Sequence, residues 1–245
     1  AKLLQDPLAS ISALMTDNDV FFGAGDRAPG YSFQLQPVYA FDFPDDGFTL
    51  VARGVVPILG VPPESDFPIL GEQRPSGGST TWGLGDSVAQ FFVAPKSEGA
   101  WRWGIGPQVS LKTRTDSLLA GPGWGAGPVG VLTGALGDFS IAAIVGNLWS
   151  FDGRFNSFLF QPNLYYNLPS VPGAYIAYNA GISADWKADS ANRWTVPLGA
   201  VVGKAFDLGN GYGIDLSLGA YANVVRPEGG ADWSLKCGVS FLFPR

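Results

Sequence analysis

Eight of the 36 charged residues lie inside stretches of alternating polarity: Arg53, Asp86, Arg102, Lys112, Asp185, Lys204, Asp215 and Lys236. Charge in such a place supports two kinds of chemistry. Opposite charges can pair and fill a narrow interior. The same groups arranged in a ring can select ions that pass through it. Ion pairing is the first expectation for Asp86, Asp185, Asp215, Arg53, Arg102, Lys204 and Lys236, and a selectivity ring is the alternative. Five of the eight are basic, so a conducting interior would weakly prefer anions. Neutral amides fill the rest of the candidate lining: Gln34, Gln36, Gln90, Gln108, Gln161, Asn163, Asn179 and Asn223. Asp189, Arg193, Arg226, Glu228 and Asp232 fall in two late loops. There they would form a loop–loop salt-bridge network, a mouth for solutes, or ordinary solvated charge.

Catalysis is poorly supplied. The chain has no histidine, which removes His-based triads, His metal ligands and His proton shuttles together. No catalytic residue, cofactor or metal site is expected, and a membrane-embedded hydrolase is set aside. The stretch "GAGPVG" at Gly125–Gly130 fits a dinucleotide glycine pattern, but Pro128 lies inside it and no helix follows. The glycines here are expected to let a sheet curve. A net charge of −6 argues against a nucleic-acid partner. The single cysteine, Cys237, allows no internal disulfide.

What must position these side chains is a set of strands. In "DWSLKCGVSFLFPR", Trp233, Leu235, Cys237, Val239, Phe241 and Phe243 share one face. Ser234, Lys236, Gly238, Ser240 and Leu242 share the other. "YSFQLQPVYAFD" and "WRWGIGPQVSLK" repeat the period of two, the strand signal. About twelve such runs are separated alternately by short turns ("FPDDG", "PKSEG", "GALGD", "LPSVPG", "DLGNGYG") and by generally longer loops. That is the pattern of a single all-β, antiparallel, up-and-down transmembrane barrel over residues 17–245. Residues 1–16 read as a separate segment. Its Leu4, Leu8, Ile11 and Met15 recur at helical spacing after Asp6–Pro7, predicting a short amphipathic helix from Pro7 to Met15. The helix would plug the lumen or lie at the inner membrane surface, and Val38, Val51 and Val55 offer it a lumen patch.

Alternation alone also fits a soluble sandwich. Two features favour the membrane. The polar face is Gln, Asn, Ser and Gly rather than the Lys, Glu and Thr of a solvated strand. Trp82, Trp124, Trp149, Trp186, Trp194 and Trp233 fall at the loop ends. Phe41, Phe48, Trp101, Phe139, Tyr166, Tyr175, Phe206, Tyr212 and Phe241 crowd the turn ends, making two interfacial belts. Cys237 then faces lipid. Pro37, Pro57, Pro107, Pro128, Pro162 and Pro197 sit near strand centres, where a ladder lacks a donor, so bulges are expected. They recur in paired contexts, "QLQPVY" with "LFQPNL" and "GIGPQV" with "GAGPVG".

Several segments carry a resemblance: "DPLASI", "GLGDS", "LWSFDG", "QPNLYYNLP", "DWKADSANRWTVPLGAVVGKAF" and "NVVRPEGGADWSLKCGVSFLFPR". They resemble bacterial outer-membrane barrels labelled neuromedin-U-like or phenol-degradation (MetA-pathway) proteins. The resemblance implies a Gram-negative outer-membrane barrel with a transport role, and no catalytic residues come with it. The expected function is passive passage of small solutes, apolar or aromatic ones among them. The alternative is a non-conducting scaffold for partner proteins.

Overall fold

The computed structural model describes residues 5–9, 12–24, 28–43, 47–63, 78–96, 99–119 and 121–243. The turn residues 44–46 and 97–98, residues 64–77 of the longest loop, and Leu4 and Ile11 of the expected helix lie outside them.

The strands are β1 (Ser12–Phe22), β2 (Gly30–Phe43), β3 (Phe48–Val61), β4 (Thr81–Leu84), β5 (Ser87–Pro95), β6 (Trp101–Leu111) and β7 (Gly125–Leu136). β8 (Phe139–Ser150), β9 (Asn156–Asn167), β10 (Ala174–Tyr178), β11 (Ile182–Asp185), β12 (Trp194–Gly209), β13 (Tyr212–Val225) and β14 (Trp233–Phe243) follow. β4 and β5 pair with successive halves of β3, so they are one stave broken at Gly85–Asp86. β10 and β11 likewise share one place between β9 and β12, broken at residues 179–181. Twelve antiparallel staves result, and β1 pairs with both β2 and β14, which closes the ring. Closure is what lipid demands, since a free edge would leave its backbone groups without hydrogen bonds.

The exterior is apolar. Trp233, Leu235, Phe241 and Phe243 are each about two-fifths exposed, while Ser234 and Lys236 between them are buried. In a chain whose exposed face is Trp, Leu, Val and Phe, exposure means lipid contact. Both aromatic belts form, with one correction. Tyr175 is buried and points inward, across Gly203, whose missing side chain leaves room for the ring.

Among the described residues the expected N-terminal helix does not form. Ser12–Met15 open β1 and pair with both β14 and β2. Gln5–Ala9 form a turn, in which Asp6 accepts from the Leu8 and Ala9 amides. Leu8 and Met15 are still both turned into the barrel, so their spacing is satisfied without a helix. The tertiary need for a strand to close the ring overrides local periodicity.

The prolines mostly avoid bulging. Pro197 lies at a register shift, and beside Pro57 two residues of β3 (Val56 and Pro57) face three of its neighbour (Gly85, Asp86 and Ser87). At Pro37, Pro107, Pro128 and Pro162 one ladder continues in register while the other skips its pairings beside the proline. Gly106 and Gly127, each preceding a proline, let a neighbouring carbonyl come close: a Cβ there would run into the carbonyls of Phe91 and Asn147. The repeated Gly-x-Gly-Pro contexts are thus one device used twice. Gly127→Val is expected to abolish the folded, heat-modifiable gel band. Gly130→Val, where a Cβ has ordinary room, should leave it.

Candidate lumen site

Register sets the inner face. Arg53 stands opposite Val38 and Gln90, and Gln90 opposite Gln108. Neighbouring staves therefore present amides and a guanidinium side by side. Arg53 donates from Nη1 to Gln90 Oε1 (2.9 Å) and from Nη2 to Gln36 Oε1 (2.7 Å). Gln90 donates to Gln108 (3.1 Å), and Gln36 to Gln34 (3.0 Å) and Asp17 (3.3 Å). Gln108 Nε2 reaches the carbonyls of Pro128 and Asn147 (3.3 and 3.2 Å), supplying a donor where the Pro128 ladder has none. The belt runs unbroken from β1 to β8, each member hydrogen-bonded to the next; of the Arg53 donors, Nε is buried without a partner among the described residues.

The belt ends at the seam between the first and last strands. Lys236 of β14 lies 3.2 Å from Asp17 and 3.8 Å from Asp19 of β1, and faces Asp19 directly in register. Neither aspartate was among the expected lining residues, because this stretch was split between a helix and the start of the first strand. Alternation read from Ser12 would have placed both beside Met15 and Phe21 on the inner face.

On the far wall, Tyr175 donates to Asp215 (2.7 Å), and its ring meets that of Tyr165 at 5.3 Å, edge to face. Tyr221 accepts from the Asn179 amide (3.0 Å) and donates to its side-chain oxygen (2.9 Å). Between the two walls is a cavity of about 110 Å³ that Gln161 and Asn163 also line.

Residues 5–9 close the turn end of this cavity. Asp6 pairs with Arg102, which also donates to the Leu8 carbonyl (3.2 Å), and Gln5 donates to Asn167 (2.9 Å). Leu8 is buried against Val38, Val51, Phe92 and Ile144.

The remaining expected residues lie elsewhere. Lys204 alternates with the exposed Val202 and Phe206 on the outer face, its ammonium 5.3 Å from the Phe206 ring. Its place near the turn end lets the chain snorkel to the interface, which removes it from the lumen. Asp86 is buried at the break between β4 and β5, where it accepts from the Gly123 amide (2.7 Å) and pairs with Arg114 (3.2 Å). It anchors the loop between β6 and β7. Asp185 caps the Lys187 amide (2.8 Å) beside a loop-end cavity of about 510 Å³, which Lys112 also lines. Asn223 holds the Ala231 carbonyl (2.8 Å).

In the late loops, Arg226 pairs with Asp232 of its own loop. Arg193 lies over Trp186 at 5.7 Å. The backbone amide and side chain of Asn192 hold the Asp189 carboxyl below the usual range. The two loops touch where the Glu228 amide donates to Asn192 (2.7 Å). Among the described residues no ion pair bridges them.

A closed antiparallel ring with an apolar exterior and a polar lumen defines an integral outer-membrane β-barrel. No protein-family model matches the sequence, and no curated protein matches it. Solved structures do match. The COG4313 outer membrane channel from Pseudomonas putida F1 superposes with a TM-score of 0.61 at 12% identity, over 95% of this chain and 94% of that one. The KdgM porin gives 0.52 at 12% identity, over 95% and 99%. Outer membrane phospholipase A from Escherichia coli, at 0.48, 10% identity and 96% of each chain, is too distant to bear on activity. At these identities the likeness is one of fold.

Proposed function

We propose that the barrel is an outer-membrane channel for small solutes, related on its sequence motifs to the neuromedin-U-like, phenol-degradation group. The observation that carries this reading is the lumen itself, with an amide belt on one wall, tyrosines on the other and free volume between them. Asp6, Asp17, Asp19 and Asp215 outnumber Arg53, Arg102 and Lys236 along it. With Lys204 outside and Asp17 and Asp19 inside, the expected preference turns from anions to cations. Planar-bilayer recording under a salt gradient tests both points. Step currents whose reversal potential favours K⁺ over Cl⁻ are expected. A folded but silent barrel would point to the scaffold role, which the docked segment Gln5–Ala9 favours.

Apolar solutes leave through the wall at the break between β10 and β11. What supports this is the missing ladder, at residues 179–181 toward β9 and 178–182 toward β12. Side chains span the break instead, with the Tyr178 hydroxyl donating to the Pro197 carbonyl (2.8 Å). The flanking pairs Ala177↔Val201 and Ser183↔Thr195 bound the break. A disulfide at the second pair, made by Ser183→Cys with Thr195→Cys in a Cys237→Ser background, should staple the break, stop toluene uptake into vesicles and spare K⁺ conductance. Unchanged toluene uptake in the oxidised protein rules the side exit out.

A further inference from the structure

We infer that the lumen cavity is a binding site for a small organic cation, a primary ammonium carrying a short apolar tail. This deepens the channel reading by naming a solute class, but the site is a property of the folded barrel whether or not it conducts.

The cavity has two unlike walls. Val38, Val51, Phe92 and Ile144 form one, continuous with the patch that holds Leu8. Tyr165, Tyr175 and Asp215 stand on the other. Tyr175 of β10 reaches Asp215 of β13 only because Gly203 of the intervening β12 has no side chain to stop the ring. The sequence thus gives up a side chain to place a hydroxyl on this carboxylate. Among the described residues Tyr175 is the one hydrogen-bond donor to Asp215, and no Lys or Arg ion-pairs with it. The other lumen carboxylates differ: Asp6 has Arg102, and Asp17 and Asp19 share Lys236. A carboxylate held away from bulk water calls for a cation. Two tyrosine rings beside it, 5.3 Å apart and edge to face, add the electron-rich surface that favours an ammonium over a neutral alcohol.

Anions are poorly served. Arg53, the one basic side chain on the cavity wall among the described residues, already donates to Gln36 and Gln90. Size sets the tail. A cavity of about 110 Å³ is smaller than one of about 150 Å³ that takes benzene, so a chain of about four carbons is the upper fit.

The test is equilibrium binding to the barrel refolded in detergent micelles, read by calorimetry with n-butylammonium, butyrate and 1-butanol. Butylammonium should bind at millimolar concentration, at least tenfold more tightly than either of the others. Asp215→Asn should weaken it at least tenfold, provided the variant keeps its heat-modifiable gel shift. Should that variant not fold, Tyr175→Phe serves. It removes the carboxylate's donor and leaves its charge, so butylammonium should bind as tightly as before or more so. Butyrate or butanol binding as well as butylammonium overturns the site. So does an Asp215→Asn barrel that binds like the parent, or a Tyr175→Phe barrel that loses butylammonium. Conductance is measured separately, so a silent barrel that passes these tests keeps the site and refutes only the channel.

Discussion

Lys236→Ala is expected to destabilise the barrel by about 3 kcal/mol in urea unfolding from lipid vesicles. Removing one partner of a buried ion pair costs about 3–5 kcal/mol, because the opposite charge is left stranded. Here the stranded charges are two, Asp17 and Asp19, whose side chains are 24% and 14% exposed. That partial access to lumen water sets the effect at the low end. Position adds to it. Lys236 and Asp19 face each other across the join of β1 and β14, the one pairing that unites the two ends of the barrel. Without this pairing the sheet would have two free edges, so its loss acts on the closed ring as a whole. Lys236→Met combined with Asp17→Asn and Asp19→Asn leaves no stranded charge and should recover most of the stability. A loss below about 1 kcal/mol for Lys236→Ala, the scale of an exposed pair, would show the seam triad to be solvated.

Deleting residues 1–9 should raise single-channel conductance several-fold and erase the cation preference together. The conductance follows from geometry, since Leu8 and Ala9 are buried in the lumen and Gln5, Asp6 and Pro7 wall its cavity. The selectivity follows from charge. Without Asp6, Asp17, Asp19 and Asp215 face Arg53, Arg102 and Lys236 in equal number, and Arg102 is freed to attract anions. Asp6→Asn should shift selectivity in the same direction while leaving most of the obstruction, because Leu8 stays in its apolar seat. Recording both variants under one salt gradient separates plug from charge. A deletion that leaves conductance unchanged would place the constriction elsewhere.

The N-terminal segment also marks where sequence reading stops. Leu8 and Met15 recur seven residues apart, a spacing that fits a helix and equally a turn running into a strand. Only the requirement that β1 complete a ring distinguishes them. The same holds for Lys204 and Tyr175, which obey alternation on their strands. Which face of β12 looks inward was settled by its pairing with β10 and β13, and an isolated run "PLGAVVGKAF" fits either choice. The tyrosine–aspartate contact needs three staves in register and a glycine in the middle one, a relation forty residues long in sequence.

What the sequence determined by itself was the class of architecture: twelve staves, an apolar outside, belts of aromatics, and a polar inside rich in amides. Those are properties of single strands and of the medium around them, and a period of two records them locally. What only the tertiary structure decided was which polar groups meet. Partnership depends on stagger between strands far apart in the chain, and the closing of the ring fixes that stagger for all of them together.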